Sequence, residues 1–226
     1  KEKLASNKNG KKMTENDNTH EQEGGWLAKT AYALFDVGNS AVGAMHATFI
    51  FAVYFASVVA PENGTSYWGY TTGAAALVVA ILGPILGGLA DSKARRKMFL
   101  AVVVMIGVIA NIILWKVEPN QAFIWFALIF SFFSILANEL MFVFYNALLP
   151  SVASKKNMGR VSGIGWAVGY FGAIIALVLA LVVFIMPEEA PFGLDKDNSE
   201  HVRATMILAG LWLLIFSLPL FMFVKE

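Results

Sequence analysis

Glu139 stands in "ILANELMFVFYNALLPS", residues 135–151, a stretch that otherwise reads as hydrocarbon. Asn138 flanks it, and Asn146 follows seven residues later on the same helical face. A second polar set lies upstream, where Asp36, Asn39, Gly43 and His46 recur at steps of three and four. An ionisable group inside a membrane helix is expensive to bury and points to function. A carboxyl group on an enclosed path can take up and release protons as solute passes, and amides and imidazole can hold a polar solute. Asp36, Asn39, His46, Asn138, Glu139 and Asn146 are therefore the candidate substrate path, with Glu139 the candidate for proton coupling.

Other chemistries lack their parts. The chain has no cysteine, and its three histidines are His20, His46 and His201. An intramembrane hydrolase needs a paired nucleophile and base or a metal cluster. There is no His-Glu-x-x-His and no second histidine at membrane depth. The expectation is no enzyme, no metal and no cofactor. No ring of charge suggests an ion channel, and a net charge of +1 gives no sign of a nucleic-acid partner.

The elements that position these residues follow from composition. Of 226 residues 58% are hydrophobic and 15% charged, where a soluble domain carries about 25% charged. Apolar runs of roughly 20 residues read as bilayer-spanning helices. Six spans are expected, over about 30–59, 67–91, 97–116, 120–150, 160–186 and 202–224, giving an all-α membrane protein with the bilayer as its first partner. Residues 1–25 are polar and aperiodic and read as a disordered tail, with the bundle over 26–226. The tail, Arg95, Arg96 and Lys97, and Lys155, Lys156 and Arg160 put most basic residues on one side. Both termini are thus expected in the cytoplasm. Lys116, Lys196 and Arg203 fall on the other side, with most of the loop acids.

The faces repeat. Span 1 carries the Asp36 stripe and span 4 the Glu139 stripe. Span 2 has small residues at Gly73, Ala76, Ala80, Gly83, Gly87 and Ala90, and span 5 at Ser162, Gly165, Gly169, Gly172 and Ala176. Such stripes let backbones approach closely, either as static packing or as a sliding surface between two bundles. Gly83, Gly165, Gly169 and Gly172 are the expected packing positions. Spans 3 and 6 are almost uniformly apolar and read as lipid-facing. Asn111 in span 3 is expected to bond a neighbouring helix. The order polar, small, apolar occurs twice, which suggests two inverted three-helix repeats.

These stretches also carry a resemblance. "YALFDVGNSAVGAMHATFIFAVYF", "GPILGGLADSKARRK", "FYNALLP" and "GRVSGIGWAVGYFGA" resemble the major facilitator superfamily. The likeness is to the branch related to autophagy-linked vacuolar amino-acid effluxers and their bacterial permease relatives. The resemblance implies the N-terminal six-helix half of a transporter that moves a small solute, with amino acids the natural guess. The partner would be a C-terminal half encoded by the same gene, or a second copy. It also implies a conformational gate at Gly87, Asp91, Arg95 and Arg96. Ser92 and Ala94 depart from that signature, which has a basic residue and a glycine there. A prokaryotic plasma membrane is favoured over a vacuolar one.

Overall fold

The computed structural model describes residues 24–226, apart from Lys93 and the side chain of Ser92. Most of the expected tail, residues 1–23, lies outside the described residues. Six helices are long and apolar enough to cross a membrane: span 1 Trp26–Val59, span 2 Gly64–Asp91, span 3 Arg96–Leu114, span 4 Gln121–Ser151, span 5 Met158–Ile185 and span 6 Glu200–Phe223.

The packing follows the repeat, with the repeats exchanged. Span 1 packs mainly on spans 5 and 6, and span 4 on spans 2 and 3. Each leading helix thus rests on the second and third helices of the other repeat, and spans 3 and 6 close the bundle between them. Spans 3 and 6 are not wholly lipid-facing, contrary to the sequence expectation. Span 3 buries Leu100, Val104, Val108, Asn111 and Leu114, while Val102, Ile106 and Ile109 stay exposed. An apolar residue does not report which side of its helix meets protein and which meets lipid.

The two small-residue stripes have different fates. On span 5, a methyl group placed at Gly169 would lie 2.6 Å from the Asp36 carboxylate, and one at Gly172 would lie 2.4 Å from Val37. One at Gly165 would lie 3.1 Å from the Tyr145 hydroxyl. This stripe seats span 1 against span 5. On span 2, Gly83 and Gly87 face Val143 of span 4, whereas Gly73, Ala76 and Ala80 are exposed and nothing lies near Gly73. The expected symmetry of the two stripes fails because span 1 runs along Gly169 and Gly172 of span 5, whereas span 4 meets Gly83 and Gly87 of span 2 but not Gly73.

The turn after span 2 explains the departure at Ala94. Arg95 N–H reaches the Ala90 carbonyl at 3.0 Å and Ala94 N–H reaches Asp91 at 3.2 Å. Ala94 has φ 47°. These paired bonds form the Schellman stop, which wants a left-handed residue at this position. Alanine adopts the conformation that glycine would adopt more cheaply. Beyond it, Arg96 Nε pairs with Asp91 at 2.5 Å. Glu226 accepts the backbone N–H groups of Arg96 and Lys97 at the start of span 3. Lys97 Nζ in turn donates to the carbonyls of Phe221 and Val224, at 2.8 and 2.7 Å. An anion caps one helix start and a cation one helix end, as the helix dipoles favour.

Arg203 lies in the first turn of span 6. It is buried, 5.0 Å over the Trp115 ring, with Nη2 3.4 Å from Glu200.

Candidate functional site

Span 1 is not a single α-helix. It runs as α-helix over Trp26–Val42, widens to π-helix over Gly43–Phe49, and widens again over Phe55–Val59. Such π segments recur at functional sites, because they re-aim side chains that a regular helix would place elsewhere. The first segment carries His46 and opens with Gly43.

Against it, spans 4 and 5 enclose a cavity of about 450 Å³. Asn39, Ser40, Gly43, His46 and Thr48 line it from span 1, Ser134, Asn138, Glu139 and Phe142 from span 4, and Tyr170, Ile174 and Leu177 from span 5. Its wall is mostly apolar with a few convergent polar groups, the general character of a small-molecule site.

Two hydrogen-bond systems hold the wall. Asn138 Nδ2 donates to the backbone carbonyl of Asn39 at 3.0 Å and to its side-chain oxygen at 2.8 Å. Deeper in, Asn111 Nδ2 donates to the Gly107 carbonyl at 2.8 Å and to Ser134 Oγ at 2.9 Å. Ser134 Oγ lies 3.3 Å from His46 Nδ1, and His46 Nε2 lies 3.0 Å from Ser131 Oγ. The Gly107 carbonyl only accepts, so it fixes the Asn111 amide as a donor. Ser134 Oγ, which accepts from Asn111, keeps one proton and one lone pair, so it donates to His46 Nδ1 or accepts from it according to the ring's tautomer. Both ring nitrogens of His46 thus have a serine partner, Ser134 at Nδ1 and Ser131 at Nε2. The chain joins spans 3, 4 and 1 and aligns the ring. Phe51 and Trp68 rings flank it, each 5.4 Å away.

The sequence candidates divide. Asn39, His46, Asn138 and Glu139 come together on the cavity. Glu139 is exposed to it and has no hydrogen bond or ion pair among the described residues. Asn138 is the bridge to span 1, rather than a flanking residue. Asn146 is exposed nearer the end of span 4 and takes no part in the cavity wall. Asp36 is also outside it, buried against Gly169 with Ser40 Oγ donating to it at 3.4 Å. It does not cap span 1, which begins ten residues earlier at Trp26. In the loop motif, Asp91 and Arg96 pair while Arg95 is exposed and Gly87 packs on Val143. The sequence reading missed Ser131 and Ser134. Their spacing of three, and four more to Asn138, marks one helical face and was the available signal. It also missed Tyr170, an aromatic that a packing stripe gave no reason to single out.

The fold is that of a known transporter class. The chain resembles the xylose transporter XylE from E. coli in its inward open conformation, with TM-score 0.62 and 16% identity over 88% of this chain and 47% of that one. The partially occluded inward open form gives TM-score 0.64 over 88% and 49%. In sequence, the chain is 28% identical over 211 residues to an uncharacterized MFS-type transporter, YxiO, of Bacillus subtilis (strain 168), covering 91% of this chain and 47% of that protein. It is 27% identical over 193 residues to an uncharacterized protein of Aquifex aeolicus (strain VF5), covering 85% and 44%. The chain thus spans about half the length of the curated relatives it matches. The family described as vacuole effluxer Atg22 like matches residues 51–226. Six apolar helices in this arrangement, and a family match over most of their length, make the chain a member of the Atg22-like branch of major facilitator superfamily transporters.

Proposed function

We propose that the full-length protein is a secondary active transporter that carries a small solute by alternating access along the path walled by spans 1, 4 and 5. The observation that carries this reading is the unpaired Glu139 carboxylate on a 450 Å³ cavity between apolar spans. A charge there is costly unless it is used. Glu139 exchanges protons as the path opens to either side, which couples solute to a proton gradient. Amino acids are the first solutes to try, since the branch that the sequence resembles is that of amino-acid effluxers.

The other half of the path comes from a second six-helix unit, for which the double length of the relatives argues better than a second copy of this chain. The Asp91–Arg96 pair, with Gly87 and Arg95, acts as a gate against that unit. Both termini face the cytoplasm, and the membrane is a prokaryotic plasma membrane, as the basic loops and the bacterial relatives support. Flux in proteoliposomes bearing the full-length protein, with and without a proton gradient, tests the reading. Glu139→Gln should abolish the proton dependence. Unchanged rate and proton dependence in that variant would remove Glu139 from the coupling.

A further inference from the structure

The polar atoms of the cavity wall are not evenly divided between donors and acceptors. Of the wall hydroxyls, Ser40 donates to Asp36 at 3.4 Å, Thr48 donates to the Gly43 carbonyl at 3.1 Å, and Ser134 bonds His46 at 3.3 Å, which leaves the exposed Tyr170 hydroxyl as the one without a hydrogen bond among the described residues. Asn138 spends its Nδ2 group on Asn39 twice. Both His46 nitrogens are taken by Ser131 and Ser134, which are buried, so in either tautomer the ring proton stays inside the protein. The Asn39 amide nitrogen has no partner, but it is sealed from solvent. Apart from the Tyr170 hydroxyl, which can donate or accept, what remains for a solute is acceptors. Asn138 Oδ1 points toward Gly43, 3.9 Å from where a methyl there would sit, and Glu139 lines the same cavity. Neither has a hydrogen bond among the described residues. No lysine or arginine lines the cavity, and Phe49, Phe142, Ile174 and Leu177 supply an apolar wall.

We propose that this cavity takes the ammonium group of a primary amine, held by Glu139 and Asn138 Oδ1, with the apolar part of the solute against Phe142, Ile174 and Leu177. The proposal rests on the reading of this cavity as the solute path and names the class of solute. A carboxylate and an amide carbonyl both accept, and an ammonium offers three donors to them. The charged pair gives the stronger of the two bonds. A solute carboxylate finds no cation in this half, so its removal is tolerated. An ammonium pairs with Glu139 only when the carboxyl has lost its proton, so solute and proton exchange at one group. His46 and Tyr170 are the other titratable groups on the cavity wall, and spans 2, 3 and 6 contribute no lining residue.

The test uses the purified full-length protein and four probes: phenethylamine, phenylalanine methyl ester, N-acetylphenylalanine and sodium ion. Thermal stabilisation measures binding, and proteoliposome flux measures transport. The two probes with a free ammonium should bind, and N-acetylphenylalanine should bind on the order of tenfold more weakly or not at all. Glu139→Gln should weaken the amines by a similar factor. Equal binding of the acetylated compound, or stabilisation by sodium with no further effect of amines, overturns the proposal. Amine binding without flux of any solute supports the site and sinks the transport reading. Flux of non-amine solutes without amine binding sinks the site and leaves transport standing.

Discussion

Asn138 of span 4 donates both to the backbone carbonyl and to the side-chain oxygen of Asn39 in span 1, at 3.0 and 2.8 Å. The two leading helices, one from each repeat, are therefore tied at the cavity wall. Asn138→Leu keeps the volume and removes both bonds. Hydrogen bonds between membrane helices contribute about 0.6 kcal/mol on average and up to about 1.7. A loss of roughly 1 kcal/mol is expected, read as a lower midpoint of unfolding in detergent. A double-mutant cycle with Asn39→Ala checks the assignment: strictly additive effects would mean that the pair does not interact in the folded protein.

Gly172 and Gly73 should respond in opposite ways to the same substitution. A methyl at Gly172 collides with Val37, whose β-carbon and both methyls lie within 2.9 Å. Val37 is β-branched and cannot swing aside easily. Gly172→Ala should cost about 1–3 kcal/mol and lower the yield of folded protein. Gly73 has open space around it. There the substitution should be neutral, or stabilising by up to about 1 kcal/mol through helix propensity. Unfolding midpoints of the two variants, measured side by side, decide the point.

Ala94→Gly should raise stability. The left-handed φ of 47° at Ala94 strains a residue with a β-carbon. Glycine relieves that strain, though it enlarges the freedom of the unfolded chain, so the expected gain is about 1 kcal/mol. Ala94→Val should lose stability at the same position. A drop in unfolding temperature for the glycine variant would mean that the turn does not take this conformation.

The His46 tautomer is open to direct measurement. Two neutral forms fit the two serines, and the one with its proton on Nε2 is expected, since Ser131 lies at 3.0 Å and Ser134 at 3.3 Å. Nitrogen chemical shifts of ¹⁵N-labelled histidine, assigned by comparison with His46→Gln, should show that neutral form. Asn111→Leu removes a donor to Ser134 and frees its lone pair for Nδ1–H, so the population of the other tautomer should rise. A doubly protonated ring in the parent protein would contradict the assignment.

Much of the site was legible before any coordinates. Glu139, Asn39 and His46 stood out because their polarity conflicts with apolar surroundings, and a conflict of that kind survives without knowing the neighbours. Asp36 and Asn146 stood out for the same reason and yet sit elsewhere. Polarity marks a residue as costly but does not say whether a cavity or a packed partner meets it. Asp36 meets Gly169, a glycine whose missing side chain makes the room. Ser131 and Ser134 were passed over because a serine in a membrane helix is common, and only the histidine between them gives it a role.

The sequence by itself determined that six helices cross a membrane, roughly where each begins and ends, and that two triplets repeat. These follow from local quantities: the length of apolar runs, the polar breaks between them and the charge beside each break. Tertiary structure decided which faces meet. It placed span 1 along the glycines of span 5 and left much of the similar stripe on span 2 open. It also widened span 1 after Val42, so that a face counted in regular helical turns stops being one face at Gly43. Helical periodicity fixes directions only while the helix stays regular, and which donors are spent inside the protein depends on neighbours from other spans. The surplus of acceptors around Glu139 is therefore a property of the assembled wall, although each residue in it was visible in the sequence.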